Sequence, residues 1–193
     1  MKVRHPSPAQ LYRGIFKRRG LLMVPPFLLL VFCTWWETES EGLVLGAGGA
    51  VFAFGLALRI WAQMHLRYRL KAKMALTCTG PYRCVRNPVY VGNILLLLGC
   101  CFLAELFWFA PIMLAYSLLV YRFVVRYEES HLILKYGPIY REFLESVPRW
   151  LPRFPRPRLL ACRSDSGKYL LPALLAEAHN VLLVLPFAVK EAM

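Results

Sequence analysis

Long apolar runs separated by segments rich in Lys and Arg constrain this chain more than any other feature. The runs cover about 20–36, 43–63, 89–104, 106–125 and 169–189. In a bilayer, each backbone N–H and C=O of such a run has to be satisfied within the segment, so the runs read as helices. Composition agrees: 58% of the 193 residues are apolar and 18% charged, where a soluble domain carries about a quarter charged. The mean hydropathy is +0.46. The expected fold is an all-α, polytopic membrane bundle of four to five spans. The length suits a single domain over 1–193 and leaves no room for a separate soluble domain.

The first run follows a basic start (Lys2, Arg4, Arg13, Lys17, Arg18, Arg19) and contains Pro25-Pro26. No small-residue cleavage site follows it, so it reads as a retained span with a kink near Val24. Trp35 and Trp36 suit an interface. The segment at 37–42, which is acidic and free of Lys and Arg, reads as an outer loop. Gly46, Gly48, Gly49 and Gly55 offer close helix contact in the second run. The third and fourth runs form a hairpin turning near Glu105. The last run, within a carboxy-terminal membrane segment at about 169–189, carries Glu177, His179 and Asn180. It is open to spanning, re-entering or lying along the interface.

The net charge of +13 falls almost wholly on the side that holds the amino terminus. By the positive-inside rule that side is the cytoplasm. No basic helix or aromatic-interleaved patch stands apart from the spans, so nucleic acid is not an expected partner; the lipid bilayer is. Cys33, Cys78, Cys84, Cys100, Cys101 and Cys162 form no CxxC pair or Cys/His cluster, and neither a metal site nor a disulfide framework is expected. Nothing in the sequence specifies an oligomeric state.

Two segments on the basic side differ from ordinary loops. The first runs from Leu76 through Gly80-Pro81-Tyr82, Arg83 and Arg86-Asn87-Pro88 to Tyr90 and Gly92. Asn87-Pro88 is a turn that starts a helix with proline in its first turn. The exposed amides there, beside Arg83 and Arg86, suit a carboxylate or phosphate. The second is Glu128-Glu129-Ser130-His131-Leu132, then Tyr136-Gly137-Pro138-Ile139-Tyr140 and Val147-Pro148-Arg149-Trp150. An acidic pair below a span on the basic side would bind a cation, ribose hydroxyls, or Arg83 and Arg86. A surface ion pair with Arg122 or Arg126 is the plainer alternative, and His131 reads as a solvated interfacial histidine.

Taken in order and spacing, Gly80-Pro81-Tyr82-x-x-x-Arg86-Asn87-Pro88-x-Tyr90-x-Gly92, a helical hairpin, Glu128-Glu129-x-x-Leu132 and Tyr136-Gly137-x-x-Tyr140 resemble the isoprenylcysteine carboxyl methyltransferase family. That family belongs to the wider group of membrane phospholipid methyltransferases. The likeness covers a motif-bearing core of about 55–152. It implies methyl transfer from S-adenosyl-L-methionine to a lipophilic acceptor, whether an isoprenylcysteine-like carboxylate, a lipid or a small hydrophobic molecule, at a cytoplasmic-side cofactor pocket. Carried onto this chain, the cofactor-binding residues are Leu76, Gly80, Tyr82, Arg86, Asn87, Pro88, Tyr90, Glu128 and Glu129. Arg86, Asn87 and Glu128 would act in catalysis: Arg86 and the helix start suit the methionine carboxylate, and a glutamate suits the ammonium or ribose. The family has His where this chain has Asn87. An asparagine amide can replace it as a hydrogen-bonding group but not as a titrating one. Two rivals are a sterol-reductase-like membrane enzyme using a nicotinamide cofactor and a catalytically degenerate lipid-binding or assembly protein.

Overall fold

A computed structural model describes residues 8–33, 42–72, 76–153 and 165–191. Trp35, Trp36, the acidic segment 37–41 and Cys162 lie outside the described residues. The regular elements within them are helices: α1 (Pro8–Phe32), α2 (Leu43–Lys71), α3 (Pro88–Leu103), α4 (Ala110–Tyr136), α5 (Pro138–Ser146), α6 (Leu170–Val181) and α7 (Leu185–Glu191), with short 3-10 turns between some of them. Three helical stretches are long and apolar enough to cross a membrane, Val44–Lys71, Phe107–Tyr136 and Ser166–Lys190, while Arg19–Phe32 and Pro88–Leu103 are shorter apolar helices. This is the all-helical integral membrane architecture that the apolar runs require.

The helices outrun the apolar stretches at the basic end. α1 starts at Pro8, well before the hydrophobic part, and its assignment passes unbroken through Pro25 and Pro26. α2 continues to Lys71, past the limit near Gln63 that hydropathy marks. α4 continues to Tyr136, so Glu128, Glu129 and His131 stand on the same rigid helix that forms the span.

α3 is the centre of the bundle. Its sixteen residues extend about 24 Å, short of a hydrocarbon layer of about 30 Å. Both its flanks are covered, by α2 on one side and α4 on another. Small residues let α2 and α3 approach closely, as membrane helices require for dispersion contact. A Cβ on Gly48 would lie 2.8 Å from Phe102 Cβ, one on Gly55 2.9 Å from Leu95 Cβ, and one on Gly99 2.8 Å from Phe52. Gly46 and Gly49, by contrast, have nothing within 4 Å, so only part of the glycine-rich stretch makes the contact its sequence promises. The hairpin turns at Glu105, whose φ is +58°, before Leu106 N–H closes on the Cys101 carbonyl at 3.0 Å.

The carboxy-terminal segment docks α6 onto α2. Glu177, 2% exposed, accepts a two-point clamp from Arg59: Nε to Oε2 at 2.6 Å and Nη2 to Oε1 at 3.1 Å. Asn180 Nδ2 adds a bond to Oε2 at 2.7 Å. A buried carboxylate in an apolar helix needs such partners, and the clamp explains why α6 keeps one polar stripe while Leu171, Leu174 and Leu175 remain exposed. His179 is exposed. Farther along, Phe187 of α7 meets Phe27 of α1 edge-on, with centroids 5.9 Å apart, and Lys190 Nζ donates to the Cys33 carbonyl at 3.1 Å.

Candidate functional site

The two motif segments converge at the basic end of the bundle and are stitched together through their backbones. Arg86 N–H donates to the Pro148 carbonyl at 2.9 Å, and Arg153 N–H donates to the Cys84 carbonyl at 3.1 Å. Glu129 ties the same parts together through side chains. Its Oε1 accepts from Arg86 Nη1 at 2.9 Å and its Oε2 from Arg149 Nη2 at 2.5 Å. With Glu129 7% exposed, this is a buried charge held by two cations from two different loops. The surface pairing with Arg122 or Arg126 that the sequence allows is not the one adopted.

Glu128, one residue earlier, faces elsewhere. It accepts a hydrogen bond from the Tyr90 hydroxyl at 2.8 Å and lines a cavity of about 760 Å³. That volume falls in the range of small-molecule sites, which is about 300–1,000 Å³. Leu76, Tyr82, Arg86, Asn87, Pro88, Tyr90, Glu128 and Glu129 all stand on its wall, so eight of the nine residues expected to hold a cofactor share one space. His131 lines it too, although it is exposed and its Nδ1 lies 2.9 Å from the Tyr127 carbonyl.

Gly80 is the exception. It does not line the cavity but sits against the ring of His65, where its φ is +57° and a Cβ would fall 2.3 Å from His65 Cδ2 and Nε2. The His65 ring bridges Thr79 Oγ1 at 2.8 Å, the Trp61 indole N–H at 3.1 Å and Ser166 Oγ at 3.2 Å. An indole N–H only donates, so Nε2 accepts and the ring is neutral, with its proton on Nδ1 toward Thr79. Gly80 thus shapes the loop that carries Tyr82 and Arg86. Gly80→Ala is expected to cost about 2 kcal/mol or more, from left-handed backbone and overlap together. A melting temperature in detergent equal to that of the native protein would contradict this packing.

The start of α3 is less open to an anion than the sequence implies. Pro88 has no N–H, and the Tyr90 and Val91 amides both turn to the Asn87 carbonyl at 3.1 Å. The side chains compensate. Asn87 Nδ2 and Arg86 Nε are buried and, among the described residues, have no hydrogen-bond partner. Leaving such donors unsatisfied costs about 1–3 kcal/mol each; both residues line the cavity, so a side-chain rotation at either would turn its donor to an acceptor on a ligand. Burial lowers the pKa of Arg86, an effect that Glu129 opposes. Burial, reinforced by Glu129, pushes the Tyr140 phenol up to about 12, and burial also raises Tyr82. Both phenols therefore stay protonated and serve as donors.

The residues present fit S-adenosylmethionine. A carboxylate (Glu128) stands on the same wall as unsatisfied amide and guanidinium donors (Asn87, Arg86), matching a ligand that carries an ammonium, hydroxyls and a carboxylate. Apolar Phe16, Leu66, Val89 and Phe143 complete the walls. Several lining residues lie outside the motifs: Phe16 and Arg19 on α1, Gln63 and Arg69 on α2, and Asn93 on α3. On α2 the lining positions Arg59, Gln63, Leu66 and Arg69 recur every three or four residues, the spacing of one helix face.

Sequence comparison bears on the same stretch. A family profile described as phospholipid methyltransferase matches residues 41–139. The nickel-cobalt-cadmium resistance protein NccN of Alcaligenes xylosoxydans xylosoxydans is 27% identical over 119 residues, which is 62% of this chain and 54% of that protein. The cobalt-zinc-cadmium resistance protein CzcN of Cupriavidus metallidurans is 27% identical over 126 residues, 65% of this chain and 57% of that protein. The chain thus spans little more than half the length of these curated relatives. No solved structure matches it.

Proposed function

The chain belongs to the phospholipid methyltransferase family, and on that footing we propose that it transfers a methyl group from S-adenosylmethionine to a lipophilic acceptor at the cytoplasmic membrane face. The observation that carries this reading is the placing of Glu128 and the unsatisfied Asn87 amide on one cavity wall, at the seam between the two motif segments.

When bound, S-adenosylmethionine would supply an electrophilic methyl on its sulfonium, for an in-line displacement by an acceptor lone pair in which the C–S electron pair stays with sulfur. The protein's task is to hold the two partners close and aligned. Glu128 would take the ammonium or the ribose hydroxyls. Asn87 and the Nε of Arg86 would take the carboxylate, with Arg86 fixed by its Nη1 bond to Glu129. Tyr90 holds the Glu128 carboxylate in place, and Phe16, Leu66 and Phe143 exclude water from the reacting end. None of these roles needs a side chain that changes protonation, so an asparagine at position 87 is compatible with turnover.

The metal-resistance names belong to the relatives. Among the described residues no group of three His, Cys, Asp or Glu side chains is placed to hold a metal ion; the lipophilic acceptor is argued from the family and from the apolar lining of the cavity. The test is incubation of membranes containing the protein with methyl-tritiated S-adenosylmethionine, followed by organic extraction. The expected result is labelled lipid-phase product above that of a Glu128→Ala control. Absence of label from a protein that still binds S-adenosylhomocysteine would replace this reading with the degenerate one.

A further inference from the structure

The loop that carries Tyr82 and Arg86 is held from outside at both of its ends. At its far end the strap at 147–153 bonds to it, through Arg86 N–H to the Pro148 carbonyl and Arg153 N–H to the Cys84 carbonyl. At its near end Thr79 and Gly80 meet the ring of His65 on α2. The same ring is bonded to Ser166 at 3.2 Å, where the turn Ser166–Tyr169 leads into α6. Chain from beyond the acidic pair therefore reaches both ends of the loop.

Thr79 shows how the near end is set. It precedes the 3-10 turn Gly80–Arg83 in extended backbone, with φ −120° and ψ 161°. A threonine there ordinarily turns its hydroxyl oxygen to an amide of the turn, and Thr79 makes no such bond. Its Oγ1 lies 2.8 Å from His65 Nδ1 instead. It accepts from Nδ1–H, because Nε2 takes the Trp61 indole proton. Gly80 then lies against the ring with φ +57°. Tyr82 N–H closes on the Thr79 carbonyl at 3.3 Å, and Tyr82 lines the cavity. His65, Thr79 and Ser166 are all buried, where water competes little for these bonds.

The carboxy-terminal side of this junction has an anchor of its own. Glu177 of α6 is clamped by Arg59 of α2, and Tyr169 meets Tyr68 of α2 with ring centroids 6.4 Å apart. The segment thus stays docked on α2 whether or not Ser166 reaches His65, so the Ser166 bond serves to fix the ring. Neither His65 nor Ser166 is among the residues lining the cavity, and Ser166 lies outside the family match at 41–139. Any effect of the pair on a ligand passes through the loop.

We propose that His65 is a positioning residue for the cofactor, through which the carboxy-terminal segment acts on the motif loop. Ser166 and Trp61 fix Nε2, the opposite nitrogen holds Thr79, and the loop so held presents Tyr82 and Arg86 to the ligand. That the ligand is S-adenosylmethionine rests on the methyltransferase reading; the hold on the loop does not. A site of this kind needs its ligand-facing groups locked by residues behind them.

The test uses the full chain in detergent, with His65→Leu, His65→Asn, Ser166→Ala and the double variant His65→Leu/Ser166→Ala. Three quantities are read: the melting temperature, hydrogen exchange at the Tyr82, Cys84 and Val85 amides that close the turn, and affinity for S-adenosylhomocysteine. His65→Leu should speed that exchange and weaken that affinity by about tenfold each, the worth of one buried hydrogen bond. His65→Asn keeps an amide donor near the place of Nδ1 and should recover most of both. Ser166→Ala should cost about threefold, and nothing further when added to His65→Leu. Native affinity in His65→Leu, a His65→Asn variant no better than His65→Leu, or a Ser166→Ala effect of equal size in both backgrounds would overturn the proposal. Should His65→Leu fail to melt cooperatively, Ser166→Ala carries the test alone, and native exchange in it would overturn the proposal. Exchange that responds as expected in a protein that does not bind S-adenosylhomocysteine would keep the hold on the loop and remove the methyltransferase reading.

Discussion

Truncating Glu129 to alanine is expected to destabilise the protein by about 3–5 kcal/mol, because it strands two guanidinium groups in a buried place. Arg86 and Arg149 side chains are 13% and 31% exposed, and both depend on this one carboxylate. Arg149 is partly in water and can relax, whereas Arg86 is pinned by its backbone bond to Pro148. Loss of the pair therefore opens the seam between the loop at 76–87 and the strap at 147–153. Thermal melting in detergent measures the effect, and limited proteolysis at the strap locates it. A Glu129→Ala variant that melts with the native protein would mean that the two segments are held by something other than this carboxylate.

The same truncation one residue earlier should have the opposite signature. Glu128 forms no ion pair among the described residues and accepts one hydrogen bond, from Tyr90. Glu128→Ala is expected to leave the melting temperature close to native. It should weaken S-adenosylhomocysteine binding by about 10- to 100-fold, the worth of a charge-assisted bond. Two adjacent, chemically identical residues thus divide the work, one clamping the fold and the other facing the ligand. If both variants lost stability and affinity in equal proportion, that division would be wrong.

The sequence shows the glutamate pair but not which member does what. Residues 128 and 129 are separated by about 100° on a helix, and hydropathy says nothing about which direction meets the cavity. The partners that decide it, Arg149 and Arg86, stand on other elements 20 and 43 positions away, and their bonds to Glu129 follow no local pattern. The loop from Leu76 to Tyr90 was easier to read. Gly80-Pro81 and Asn87-Pro88 are backbone constraints that act locally, and the structure puts a turn at each. Even there the role of Gly80 was hidden, since its need for a bare Cα comes from His65, fifteen positions away on α2.

Span limits suffered from the same blindness to tertiary contact. Hydropathy ended the second and fourth runs where charge resumed, yet α2 and α4 continue through Arg69, Glu128 and Glu129, whose side chains line the cavity. Glu177 was ambiguous for a like reason: a carboxylate in an apolar run is costly until Arg59, on another helix, meets it. The glycines of α2 divide in the same way. Gly48 and Gly55 face α3 and Gly46 and Gly49 do not, a distinction of helix face that the cluster alone conceals.

The central claim is that the cavity between the motif segments holds S-adenosylmethionine. The measurement that meets it most directly is calorimetric titration of S-adenosylhomocysteine into detergent-purified native protein, with Glu128→Ala beside it and both checked by thermal melting. The account predicts saturable binding by the native protein and a large loss of affinity in a variant that melts normally. A native protein that melts cooperatively and yet gives no binding heat at millimolar ligand, at two temperatures, would contradict it.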